Sequence, residues 1–175
     1  MSDGKKEAGA ALAEAKASLQ TARISLDELD RLRAVTRGPL PPVSTLVALL
    51  GQSANAEPAK GLLKQFGARR RSVAGGYDLA ARSTGIRVVL DENEAVRSIV
   101  LFGDGQPGGF STWTGTLHKG LSMASTPSQV IAALGPAQEV HVDGDVEHQY
   151  GNNQAVEAYV FDDGHIAQLR LRRRT

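Results

Sequence analysis

The stretch Ala155-Val156-Glu157-Ala158-Tyr159-Val160-Phe161-Asp162-Asp163-Gly164-His165-Ile166-Ala167-Gln168-Leu169-Arg170-Leu171-Arg172 holds two alternating runs on either side of an Asp-Asp-Gly turn. A period of two marks a strand with two unlike faces, and Asp-Gly supplies the positive φ angles of a tight hairpin loop. The segment therefore reads as an antiparallel hairpin. In its first run Val156, Ala158 and Val160 are expected on one side, with Glu157, Tyr159 and Phe161 on the other. In its second run Ala167, Leu169 and Leu171 alternate with Gln168, Arg170 and Arg172.

Working outward, Thr126 caps and Pro127 opens a helix carrying Val130, Ile131 and Leu134, stopped at Gly135-Pro136. Strands over 139–142 and 146–150 follow, joined by Asp143-Gly144. The preceding half has a similar order. Ser44 is expected to cap a short helix ended by Gly51, and Pro58 opens another with Leu62, Leu63 and Phe66, ended by Gly67. Three strands are then expected over 77–82, 86–90 and 96–102. The offset from Gly67 to Gly135 nearly matches that from Val96 to Ile166, which suggests a tandem αβββ repeat. Ahead of both copies, Ala8, Leu12, Ala15, Leu19, Ala22, Leu26 and Leu29 recur at helical spacing until Pro39, Pro41 and Pro42. The expected fold is α+β: a long N-terminal amphipathic helix (1–38), a first αβββ repeat (43–103), a linker (104–125) and a second repeat (126–175). Helices are expected on one face of the resulting sheet.

Composition narrows the function classes. The 175 residues carry 20 Lys+Arg against 19 Asp+Glu, so bulk charge gives no reason to bind nucleic acid or an anionic membrane. With no cysteine, disulfides, thiolate metal sites and a Cys nucleophile are excluded. Apolar runs fall far short of a membrane span, and charged residues interrupt any signal-peptide pattern near Lys5 and Lys6, so a cytoplasmic protein is expected.

Motifs for catalysis are weak. Gly103-Asp104-Gly105-Gln106-Pro107-Gly108-Gly109 lacks the Gly-Lys-Ser/Thr ending of a phosphate loop and reads as a linker. Ser111 has no nucleophile-elbow context. His141 and His148 flank an acidic hairpin, but their spacing fixes no metal geometry. The triplets 69–71 and 172–174 of arginine read as solvated loop and terminus residues. No catalytic residue, metal or cofactor is expected. Trp113 is either a core anchor or a binding hot spot, and burial preferences favour the core.

Several stretches resemble a known group: 85–90 and 96–101, Gly109-Phe110, Gly115-Thr116-Leu117, Gly120-Leu121, and Ser128-Gln129-Val130 through Leu134-Gly135-Pro136. They look like small bacterial proteins encoded beside toxins as immunity factors. Val130, Leu134, Gly135, Pro136, Tyr150 and Phe161-Asp162-Asp163-Gly164 also resemble the fold group of the β-lactamase inhibitor protein and the SmpA/OmlA lipoproteins. The likeness spans about half of the chain, and its motifs are structural. It implies a non-catalytic inhibitor of a cognate toxin or effector domain, acting by occlusion. The sheet-face residues Arg87, Ser98, Glu157, Tyr159, Gln168 and Arg170, with Asp143 and Asp145 at a hairpin tip, are then the expected contacts. The alternative is an assembly adaptor that dimerises or docks through the N-terminal helix. Oligomeric state stays open.

Overall fold

The computed structural model describes residues 39–73, 76–151 and 155–174. The expected N-terminal helix lies outside the described residues. Two short helices come first, α1 (Val43–Val47) and α2 (Ala59–Phe66). Four strands follow: β1 (Arg69–Val73), β2 (Gly76–Ala81), β3 (Ile86–Leu90) and β4 (Val96–Phe102). After a long connection come α3 (Pro127–Leu134), β5 (Gln138–Val142), β6 (Asp145–Gly151), β7 (Ala155–Asp162) and β8 (His165–Arg173). All eight strands form one antiparallel sheet in the order β1-β2-β3-β4-β8-β7-β6-β5.

This corrects the expected α+β fold of two helix-plus-three-strand repeats. The helices have only five, eight and eight residues, and the architecture is a continuous eight-stranded sheet. Each half contributes four strands as a meander, and the two meanders join where β4 pairs with β8 (Ile99 opposite Leu171, Leu101 opposite Leu169). The unforeseen strand is β1. Arg69, Arg70, Arg71 and Ser72 are all exposed, so no apolar alternation announces them. The arginine triplet is thus an edge strand, not a loop.

The core lies on one side of the sheet. Ile86, Val88, Leu90, Ile99, Leu101, Tyr159, Leu169 and Leu171 share it with Val43, Leu46, Leu63, Phe66 and Val130 from the helices. The connection between the meanders adds Trp113, Leu117, Leu121 and Met123. Trp113 is fully buried, and its ring stands edge-on to Phe66 with centroids 6.0 Å apart. Its backbone N–H donates to the Phe102 carbonyl at 2.8 Å, which ties the connection to the end of β4. Gly85 makes that crossing possible: at φ +72°, a Cβ there would lie 2.2 Å from the Ser111 carbonyl oxygen.

Capping explains where α3 starts. Thr126 Oγ1 accepts from the Gln129 N–H, and Gln129 Oε1 accepts from the Thr126 N–H at 2.9 Å. The expected Ser44 cap does not form; Pro42 precedes α1, and no side chain caps it. Among the described residues, no helix is long and apolar enough to cross a membrane.

Candidate functional site

The face of the sheet opposite the core is built by the other phase of each strand. β8 contributes Gln168, Arg170 and Arg172, and β6 contributes Asp145, Glu147 and Gln149. Glu147 is the centre of this face. Its side chain is fully buried, which is sustainable for a carboxylate only when its oxygens are paired. Arg172 grips it with both terminal nitrogens, one at 3.0 Å from Oε2. Arg170 Nη1 donates to Oε1 at 2.9 Å, and Gln149 donates to Oε2 at 2.9 Å. Burial pushes the Glu147 carboxyl upward, but hydrogen bonds from Arg172, Gln149 and Arg170 outweigh it and hold the group below its ordinary value.

The network extends outward from there. Arg170 also donates to Asp145 through Nη2 and to Gln168 Oε1 through Nε at 3.0 Å. Gln168 in turn donates to Gln106 at 2.9 Å. Both guanidiniums are therefore fixed, yet Arg172 keeps 34% of its side-chain surface exposed and Asp145 keeps 43%. A planar, oriented guanidinium beside a carboxylate is suited to bidentate contacts with a partner's polar groups.

Five of the expected contacts lie together on this face: Arg87, Ser98, Gln168, Arg170 and Asp145. Arg87 sits with its guanidinium carbon 5.8 Å from the Phe102 ring, which itself stacks on Phe110 at 4.0 Å. Asp143 is exposed at the tip of the β5–β6 hairpin with φ 51°. Glu157 and Tyr159 do not belong here. Tyr159 lies opposite Leu169 and Glu157 opposite Leu171, on the core side, and Tyr159 has no exposed surface. The phase of β7 was ambiguous because both sets of residues contain apolar side chains. The larger Tyr159 and Phe161 take the core, and the smaller Ala158 and Val160 pack opposite the polar residues of β6 and β8.

On the core side, Glu157 and Tyr159 line up with a group that local motifs did not reveal. His118 Nδ1 lies 2.8 Å from Glu157 Oε1, off the direction of an aligned hydrogen bond, and Tyr159 donates to Glu157 Oε2 at 3.2 Å. The Tyr150 ring stands edge-on to Tyr159 at 5.6 Å, and its hydroxyl is buried without a partner. Burial raises the pKa of both phenols, and for Tyr159 the adjacent Glu157 carboxylate adds to the effect. A cleft of about 460 Å³ opens beside them, lined also by Ser44, Val47, Lys119 and Leu134. A carboxylate between imidazole and phenol can hold a cationic or hydrogen-bond-donating group. The residues come from elements far apart in sequence, so only the fold brings them together. Elsewhere, among the described residues no three His, Asp or Glu side chains converge to hold a metal.

No protein-family model matches the chain, and no curated protein matches it. Among solved structures, it is similar to a DUF4309 family protein (YjgB) from Bacillus subtilis subsp. subtilis str. 168, at 16% identity and a TM-score of 0.47. That likeness covers 69% of this chain and 80% of the other.

Proposed function

We propose that the chain is a non-catalytic, cytoplasmic inhibitory protein that engages a protein partner through the charged face of its sheet. Immunity to a secreted bacterial toxin is the setting that the sequence resemblance suggests. The observation that supports the reading is the Glu147 network: two arginines are locked in place by one buried carboxylate, while Arg172 and Asp145 remain partly exposed. Binding energy concentrates in such oriented anchors, because little side-chain entropy is left to lose when the partner arrives. Asp143, Asp145, Arg170 and Arg172 give the patch both signs of charge, which sets orientation and rejects mismatched partners.

Tyr159→Ala would empty the core, and Arg170→Ala would take one of two arginines from the buried Glu147, so neither isolates binding from stability. Val89 and Ser98 are half-buried on the charged face and outside the hydrogen bonds to Glu147. Val89→Lys with Ser98→Glu should leave urea unfolding close to wild type, because the two new charges oppose each other and stand beside Asp78 and Arg172 respectively. The same double variant should lose a partner that wild-type protein retains on an affinity column, and stoichiometric wild-type protein should quench that partner's activity. Retention by the double variant would move the interface elsewhere. Binding without loss of the partner's activity would refute inhibition.

A further inference from the structure

The outer edge of β5 is built for pairing with a second copy of itself. The β5–β6 hairpin turns through Asp143 and Gly144, at φ 51° and 90°, between the opposed residues Val142 and Asp145. A two-residue loop of this kind closes on a pair that exchanges both backbone hydrogen bonds, and such pairs alternate along the ladder. Val142, Val140 and Gln138 therefore spend their N–H and C=O groups on β6. Glu139 and His141 direct theirs away from the sheet. β5 ends the strand order, and both residues are exposed.

We propose that two copies of the chain pair their β5 strands antiparallel about Val140, joining two eight-stranded sheets into one. In this register Glu139 of each copy stands opposite His141 of the other, and Val140 opposite Val140. The register satisfies two independent requirements. Glu139 and His141 are the residues whose backbone groups face outward, so each becomes half of a hydrogen-bonded pair. Their side chains also complement one another: the imidazole N–H can donate to the carboxylate across the seam. Glu139 is available for this, since its carboxylate is 65% exposed and lies 3.9 Å from His148, too far for a hydrogen bond. On the charged face, Val140 meets Val140 at the closest kind of cross-strand approach. The other edge offers no such match, because β1 pairing with itself brings Arg69, Arg70 and Arg71 of both copies together. The two-fold axis of an antiparallel seam is perpendicular to the sheet, so both charged faces end on the same side.

A seam of one strand from each copy covers less than the roughly 1,000 Å² of a stable interface, so association is concentration-dependent, with a dissociation constant on the order of 100 µM. Sedimentation velocity of the full chain, at concentrations from about a tenth of that value to about tenfold above it, should show a monomer–dimer equilibrium. Glu139→Lys alone and His141→Glu alone should each sediment as monomers, because the first faces lysine with His141 and the second faces glutamate with Glu139 across the seam. An equimolar mixture of the two variants should regain dimer, since both opposed pairs become complementary again. His141→Pro gives a second route: it removes an outward N–H while leaving the ladder to β6 complete, so it should be folded by circular dichroism and monomeric. A wild-type protein monomeric throughout would overturn the proposal. So would single variants that associate like wild type, or a mixture that stays monomeric.

Discussion

At one end of the sheet β1 carries Arg69, Arg70 and Arg71, while at the other β5 carries Gln138, Glu139, Val140, His141 and Val142. The strands next to them, β2 and β6, each bury one acid on the charged face, Asp78 and Glu147. The two acids look in opposite directions. Asp78 pairs outward with Arg71 on the edge strand, through Nε and Nη2, both at 3.2 Å. Glu147 pairs inward with Arg170 and Arg172 on the central strand β8. Placing arginine on the edge closes it to other strands; placing arginine in the middle leaves the edge free of arginine and builds a polar centre. One sheet thus has a guarded end and an open end, and the difference is set by which neighbour each buried acid selects.

Removing the inward acid should have the largest effect. Glu147→Ala leaves the mostly covered Arg172 without its carboxylate and Arg170 with Asp145 alone, and should cost about 3 kcal/mol in urea denaturation. Asp78→Ala strands only Arg71, whose side chain is 47% exposed and can turn to water. Its cost should be about 1–2 kcal/mol, mainly lost packing and hydrogen bonding. Equal costs at the two sites would mean that the inward network is no more of an anchor than the edge pair.

Acid titration sharpens the same contrast. The folded Glu147 carboxyl lies below its ordinary value of 4.5, so the unfolded chain takes up this proton first as pH falls. Its contribution to stability is complete above the unfolded value and is lost as pH drops through the lower folded value. Glu94, which pairs with Arg70 of β1 at 2.6 Å and also accepts from Asn55, is shifted in the same direction. Because Glu94 is solvent-screened, Glu147→Gln should flatten the acid limb of the stability profile more than Glu94→Gln does. The reverse ranking, measured by urea midpoints between about pH 3 and 6, would place the stronger coupling at the guarded end.

The elements that were legible in the sequence are those with one buried and one polar face. β3 and β4 have the expected bounds, and both Asp-Gly hairpins form, because alternation and turn chemistry are local signals. β1 was not legible, since an edge strand exposed along most of its length has no face to reveal. The phase of Tyr159 was misread because either set of β7 side chains could form a core, and only the pairing with Leu169 decides between them. Arg170 and Asp145 were recognisable as surface candidates, but their dependence on Glu147 was not: a buried acid has the same letter as a solvated one. The meeting of His118 with Glu157 is a consequence of topology, which no spacing encodes.

The smallest effect on folding should come from stripping the guard from β1, and it tests the comparison most directly. Arg70 rests its guanidinium carbon 3.7 Å from the centre of the Tyr77 ring and pairs with Glu94. Arg69→Thr with Arg70→Thr removes these contacts, at a cost of about 0.5–1 kcal/mol. Arg71 stays bound to Asp78, so the strand itself remains anchored. The informative background is Glu139→Lys, in which the proposed β5 seam is already closed. There the added threonines raise the β propensity of the edge and leave it Arg71, which is neutralised by Asp78, so concentration-dependent association should reappear in sedimentation velocity. If that triple variant stays monomeric, Arg69 and Arg70 are not what keep the β1 end closed. Both edge strands have five residues, so the asymmetry between the two ends would then have to come from twist or from Arg71.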